Sequence, residues 1–159
     1  MRVGIGYDVH PLLPDRSLVL GGISISHSHG LDGHSDGDVL VHAMIDSVLG
    51  AAGLGDIGQH FPPSEQNKGL SSLALLEKTV ALLQSNNWRI TGLDATIVAE
   101  RPTLSPFIPE MRRIIAKIVQ LEFLEVNIKA TTTDGLGVTG RGEGIAAHAI
   151  ATIMKQETM

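Results

Sequence analysis

The apolar positions of this chain change period several times, and each change marks an element. Residues 2–9 read as a strand. Residues 17–20 form a second strand ending at Gly21-Gly22, and residues 23–26 extend it as a hairpin. Residues 27–33 are polar and carry glycine, which predicts a loop. From about Asp36 to Ala52, the residues Val41, Met44, Ile45, Val48 and Ala52 recur at helical spacing. Asp38, His42 and Asp46, each four apart, make a second row beside that stripe. Ser35 is the expected cap of this helix, with Asp36 and Asp38 at the positive end of its dipole.

Residues 53–69 form a long connection containing Asp56 and Phe61-Pro62-Pro63, of a length that goes with function or mobility. A helix over 70–86 turns Leu73, Leu76, Val80 and Leu83 inward, and Asn86-Asn87 stops it. Residues 93–99 read as a strand. Ser105-Pro106 reads as the cap and first position of a third helix, with Ile108, Met111, Ile115 and Ile118 inward. Residues 125–131 alternate Val126, Ile128 and Ala130 against Asn127, Lys129 and Thr131, the pattern of a half-buried strand. Residues 135–144 are glycine-rich. Residues 145–154 are apolar throughout and fit strand or helix equally. The order of elements points to an α/β or α+β fold.

A length of 159 residues predicts one domain, residues 1–159, able to bury its own core. Cysteine is absent, so any metal must be held by His and carboxylate. The net charge of -5 and the lack of a Lys/Arg run argue against nucleic acid as a partner. No apolar run approaches the ~20 residues of a membrane helix, and the N-terminal run lacks a signal-peptide core. The expectation is a soluble cytoplasmic protein without a membrane partner. Glycine accounts for 18 residues, well above the usual frequency of about 7%, and clusters beside polar residues where backbone must approach something closely.

The chemistry gathers in a few short segments. Asp8 and His10, two apart in a strand, share one face. With His42 they supply one carboxylate and two imidazoles, a ligand set zinc accepts with a fourth position open for substrate. Asp46, one turn beyond His42, is the expected partner for its second ring nitrogen. His34 and Ser35 flank a helix N-terminus, where phosphate is readily bound. Thr131, Thr132, Thr133 and Asp134 end a strand with hydroxyls and a carboxylate suited to phosphate and a hard cation. The run Thr139–Gly144 is neither a Rossmann fingerprint nor a Walker A loop, but its Arg141 suits an anion. His27, His29, His60 and His148 have no ligand-like spacing and are read as structural or solvated.

Six ordered motifs then identify the family. Asp8-Val-His10, His34-Ser-Asp-Gly-Asp38 with His42, Gly55-Asp56-Ile-Gly58, Phe61-Pro62, Lys129-Ala-Thr-Thr-Thr and Thr139-Gly-Arg-Gly-Glu-Gly144 resemble the 2-C-methyl-D-erythritol 2,4-cyclodiphosphate synthases of the non-mevalonate isoprenoid pathway. The resemblance implies an α+β fold: a single-domain sandwich of a mostly antiparallel, mixed four-stranded sheet covered by helices on one face. It implies a homotrimer with the sheets facing the three-fold axis and active sites between subunits. It implies a metal-dependent lyase. The 2-phosphate of 4-diphosphocytidyl-2-C-methyl-D-erythritol 2-phosphate attacks the β-phosphorus, and CMP leaves. On this resemblance Asp8, His10 and His42 hold Zn²⁺, and Asp134 meets Mg²⁺ or Mn²⁺ together with the substrate diphosphate. His34 and Thr132 steady the transition state, and Ser35 contacts the same phosphates. Asp56, Ile57 and Gly58 hold the erythritol hydroxyls, and Phe61, Pro62, Pro63, Ser64 and Glu65 close over them. Ala99, Glu100, Arg101, Pro102, Thr103, Leu104 and Ser105 receive cytosine from the neighbouring chain. Thr131 and Thr133 join the phosphate segment. Val138 and Arg141 face the axial cavity, which could take an isoprenoid diphosphate. Three positions depart from the family pattern: Asp134 stands where Glu is more frequent, Thr103 where Lys is common, and Val138 where Phe is frequent. Two other readings stay open on the residues alone, a non-catalytic trimeric diphosphate binder and a zinc hydrolase.

Overall fold

The computed structural model describes residues 1–63 and 69–156. Ser64 and Glu65 lie outside the described residues. The elements are β1 (Arg2–Pro14), β2 (Leu18–Leu20), β3 (Ile23–Ile25), β4 (His29–Leu31), α1 (Val39–Ala52), α2 (Ile57–His60), α3 (Ser72–Ser85), β5 (Trp88–Val98), α4 (Ile108–Val119), β6 (Val126–Thr131), α5 (Gly137–Gly140) and β7 (Gly144–Lys155). A 3-10 turn over Phe123–Glu125 precedes β6.

The fold is α+β with a mixed sheet. That sheet has five strands rather than the expected four, in the order β4-β1-β7-β5-β6, and β2 and β3 pair separately. The fifth strand is β4, which lies in the polar stretch expected to be a loop and pairs antiparallel with the far end of β1. Three residues, His29-Gly30-Leu31, give too short a run for an alternation to register. The apolar segment near the C-terminus is β7, antiparallel to both β1 and β5. Its period was hidden because both faces are apolar: Ala147, Ala149, Ala151 and Ile153 are buried, while Ile150 and Met154 lie on the other side. Among the described residues only β5 and β6 run parallel.

The helices cover one face of the sheet. Helix α1 is buried around most of its circumference, between β1 and β7 on one side and α3 on the other. It comes very close to β1. A Cβ added at Gly4 would sit 2.0 Å from the Ser47 carbonyl oxygen, and one at Gly6 would sit 1.9 Å from that of Ala43. No side chain fits at either position, so the two glycines set the distance between helix and strand. The helix runs antiparallel to β1, because Gly4 meets Ser47 and Ala51 whereas Gly6 meets Ala43 and Ser47.

Helix α1 starts later than the sequence implies. Its cap is Asp38, not Ser35. The Asp38 side chain is fully buried and accepts from Val41 N at 3.2 Å, Gly21 N at 3.0 Å and Gly22 N at 2.7 Å. One carboxylate thus caps the helix and fastens the β2–β3 turn to it, while burial pushes its pKa up to about 6. Asp36 serves a different helix: its Oδ2 accepts from Ser72 N at 2.9 Å, at the start of α3. Helix α4 begins at Ile108, with Phe107 rather than Ser105 at its cap and proline inside the first turn.

Replacing Gly6 with alanine forces α1 off β1. The expected result is a loss of about 1–3 kcal/mol in chemical denaturation, the usual range for overpacking, together with weaker metal binding. Unchanged stability would contradict the contact.

Candidate metal centre

Alternation along β1 carries the Gly4 and Gly6 row on to Asp8 and His10. The glycines lie under the body of α1, so Asp8 and His10 come level with its first turn, where His42 projects. Asp8 Oδ2 lies 2.8 Å from His10 Nε2 and 3.0 Å from His42 Nδ1. His10 Nε2 and His42 Nδ1 are 3.3 Å apart. Among the described residues these three form the one cluster of three or more His or carboxylate groups with ligand atoms close enough to share an ion.

The remaining ring nitrogens fix what those atoms carry. His10 Nδ1 sits 2.5 Å from the Asp32 carbonyl oxygen, which can only accept. His10 therefore bears its proton on Nδ1 and turns the Nε2 lone pair inward. His42 Nε2 faces the hydroxyls of Ser72 at 2.9 Å and Ser35 at 3.0 Å, either of which can accept its proton, and in that tautomer Nδ1 is the inward lone pair. Two imidazole lone pairs and a carboxylate oxygen then converge with no proton between them. That donor set fits a divalent cation of the zinc type, which relieves their mutual repulsion. Asp46 does not take the second nitrogen of His42. It accepts from Ile57 N at 2.8 Å and so ties α1 to the first residue of α2.

Burial acts to raise the Asp8 pKa, but a protonated His10 or His42 donates its inward N–H to the carboxylate, and that pairing outweighs burial and holds the carboxyl well below the usual range. The same bond, given by protonated His10 to Asp8, raises the pKa of His10.

The cavity over the triad is lined by Asp8, His10, His34, Ser35, His42, Asp46, Ile57, Gly58, Phe61 and Pro63, with Leu75 as an addition that the sequence did not suggest. Its lining includes residues from nearly every segment singled out before position 64. Asp56 takes the cap of α2, accepting from Gln59 N and Gln59 Nε2, each at 2.9 Å. Ser72 and the Asp32 carbonyl were missed. Ser72 reads in sequence only as the start of a helix, and a backbone oxygen leaves no trace in sequence.

The other expected segments gather elsewhere. Ala99, Glu100, Pro102, Thr103, Leu104 and Ser105 line a second cavity with Ala130, Thr131 and Thr132. Glu100 braces its wall: Oε1 accepts from Thr133 N at 2.9 Å and Gly135 N at 3.3 Å. The Asp134 carboxylate accepts from the Thr132 hydroxyl at 3.3 Å. Arg101 lines a third pocket, beside His27 and His29. Thr133 and Val138 line a groove with Tyr7, Leu136 and His148. Arg141 is exposed and paired with Glu143, Nε to Oε1 at 2.8 Å. Within one chain, therefore, the triad and the Thr131–Thr132 segment occupy separate cavities.

Metal binding requires the inward nitrogen of His10 to be unprotonated. Its pKa is raised, so protons compete from a higher pH than at an ordinary imidazole, while the depressed Asp8 does not compete until far lower pH. Apparent zinc affinity, followed by chelator competition from pH 8 to 5, is expected to fall by about tenfold per pH unit once below the His10 value. A flat profile would contradict the assignment of His10 as a ligand.

The likeness to known proteins runs through the whole described fold. The chain is 53% identical over 156 residues to the 2-C-methyl-D-erythritol 2,4-cyclodiphosphate synthase of Clostridium perfringens, covering 98% of this chain and 100% of that protein. The bifunctional IspDF of Campylobacter jejuni superposes with a TM-score of 0.94 at 37% identity; the match covers 98% of this chain but only 42% of that one. The Plasmodium falciparum IspF in its CDP complex superposes with a TM-score of 0.86 at 29% identity, over 98% of this chain and 97% of that one. Residues 1–154 match the YgbB family. With residues 1–154 matched to its model and nearly all of the chain aligned to its members, the chain belongs to the YgbB family.

Proposed function

We propose that this chain is a single cyclodiphosphate synthase domain. It converts 4-diphosphocytidyl-2-C-methyl-D-erythritol 2-phosphate to 2-C-methyl-D-erythritol 2,4-cyclodiphosphate and CMP, in the non-mevalonate isoprenoid pathway. The observation that carries this reading is the set of three convergent lone-pair donors at the floor of a cavity flanked by His34 and Ser35. The 2-phosphate oxygen forms a bond to the β-phosphorus, and the bond from that phosphorus to the oxygen shared with the α-phosphate breaks. CMP leaves with the electron pair, and no water is consumed. This makes the protein a metal-dependent lyase.

Asp8, His10 and His42 would hold zinc, whose chemistry here is that of a Lewis acid toward a phosphoryl group. The rest falls to the chain's own side chains. Phosphoryl transfer needs positioning and charge neutralisation more than covalent help. His34 is exposed at the cavity mouth and able to donate to phosphate, as is the Thr132 hydroxyl. Ile57 and Gly58, anchored through Asp46, offer a fixed wall for the erythritol end beside Asp56, and Phe61 and Pro63 exclude water. Holding both ends of a flexible substrate in attack geometry lowers the barrier, because the reaction is intramolecular. Among the described residues Asp134 belongs to no cluster of metal-ligating groups, so a Mg²⁺ or Mn²⁺ there would draw its other oxygens from the diphosphate and water.

The homotrimer is supported by the uncovered face of the sheet. Val3 is 66%, Ile5 71% and Ile150 47% exposed, beside Tyr7 and Val9. An apolar surface of this kind marks an interface. Joining chains through it would bring the Ala99–Ser105 and Thr131–Asp134 segments of one subunit to the triad of the next. The groove by Tyr7, Val138 and His148 would then line the three-fold axis, where an isoprenoid diphosphate would compete with Glu143 for Arg141. Among the described residues no helix is long and apolar enough to cross a membrane. The multiply charged substrate does not cross membranes unaided, and we place its conversion in the cytoplasm.

Two experiments test this reading. Incubation with the substrate and divalent metal is expected to release CMP and the cyclic product. Chelator should stop the reaction and His42→Ala should abolish it; no CMP from the metal-loaded protein would overturn the reading, and free phosphate instead of the cyclic product would indicate a hydrolase. Separately inactive His42→Ala and Thr132→Ala chains, refolded together, should recover about a quarter of wild-type activity if each site is shared between neighbours in a ring. No recovery would place each site within one chain.

A further inference from the structure

The two imidazoles of the metal centre are held from behind in different ways. His10 rests on a single carbonyl oxygen. His42 rests on a chain of groups that ends in a charge. Its Nε2 lies 2.9 Å from Ser72 Oγ, and Ser72 Oγ is hydrogen-bonded to Asp36 Oδ1. The same carboxylate accepts from Ser72 N through Oδ2 at 2.9 Å, and from Asp38 N at 3.2 Å. Ser72 is fully buried, and Asp36 is partly so.

Every hydrogen in this chain has a fixed place. With His42 Nδ1 turned inward, Nε2 carries the proton and donates to an oxygen. An ionised Asp36 can only accept, so the Ser72 hydroxyl must give it its hydrogen and receive that of His42. Ser35 Oγ lies 3.0 Å from the same nitrogen and 3.4 Å from Ser72 Oγ, with no carboxylate bonded to it. We propose that Asp36 and Ser72 form a positioning relay that fixes the His42 tautomer and makes Nδ1 the stronger donor to the metal. The relay also joins two elements. Asp36 precedes α1, Ser72 opens α3, and the start of α3 with its positive dipole holds the carboxylate in place. This rests on the reading of Asp8, His10 and His42 as a zinc site.

The test uses the full-length protein and zinc alone, without substrate. Zinc affinity is measured by competition with a chromophoric chelator, and the ligand field from the visible spectrum of the cobalt-substituted protein. Asp36→Asn keeps the shape and removes the charge, and Ser72→Ala removes the middle oxygen. Each is expected to weaken zinc by about 10–100-fold, the usual effect of losing a group behind a metal-bound imidazole, and to shift the cobalt bands. The double variant should lose no more than the weaker-binding single one, because both cut the same chain. Should Asp36→Asn fail to fold, Ser72→Ala tests the same link. Wild-type affinity in either variant overturns the relay, as do losses that multiply in the double variant, or lowered thermal stability with unchanged zinc affinity and cobalt spectrum. Failure of the wild-type protein to bind zinc overturns instead the metal reading on which the relay stands.

Discussion

The contact on which everything else depends is the approach of α1 to β1. Two glycines in a strand interior each cost about 0.5–1 kcal/mol relative to alanine. Burying a single leucine or methionine returns about 1.5–3 kcal/mol, and α1 buries Leu40, Met44, Ile45 and Leu49 completely. The helix can therefore sit directly on the strand backbone at a net gain. The catalytic value of the contact lies one turn further on, where the same row of β1 positions ceases to be glycine and becomes Asp8 and His10. Helix and strand, already in contact through their backbones, leave little freedom in where His42 meets them.

The electrostatic design follows from that closeness. Three inward donors about 3 Å apart would repel if none carried a proton or a cation between them. The outer nitrogen of His10 is committed to a carbonyl acceptor, so that ring cannot turn its proton inward without losing a partner, and His42 rests on hydroxyls backed by Asp36. The polypeptide thus stores the demand for a cation in its hydrogen bonding before any cation arrives. Asp38 plays the corresponding structural part. A buried carboxylate is costly unless satisfied, and this one meets three backbone N–H groups drawn from a turn and a helix.

The sequence reveals side chains that act by type and spacing. Asp8 with His10, and His42 on its helix, are legible because period two and period 3.6 place them. The helices α1 and α3 are legible by their stripes, within a few residues at each end. What it conceals falls into two kinds. Short or two-sided elements such as β4 and β7 lack the alternation that betrays a strand. Contacts made by position rather than by identity leave no pattern either: Asp36 reads as a carboxylate at the positive end of the helix that follows it, and its bond to Ser72 at the start of a helix beyond a long connection is a tertiary fact. The same local logic pairs Asp46 with His42, and the bond from Ile57 N to Asp46 overrides it.

The parallel pairing of β5 with β6 has a consequence of its own. Val98 of β5 stands opposite Thr131 of β6, and Ala99 N continues the ladder to Thr131 O at 2.9 Å. Because both strands point the same way, their outgoing ends share one rim, and Glu100 can reach across to the backbone beyond β6. The intervening crossover through α4 returns the chain to its starting edge and contributes nothing to that rim. Its length and surface are therefore free to drift, while the spacing of the two segments it separates is locked by one rung of hydrogen bonds. The two segments that line the second cavity, one leaving β5 and the other leaving β6, are held together at that rim.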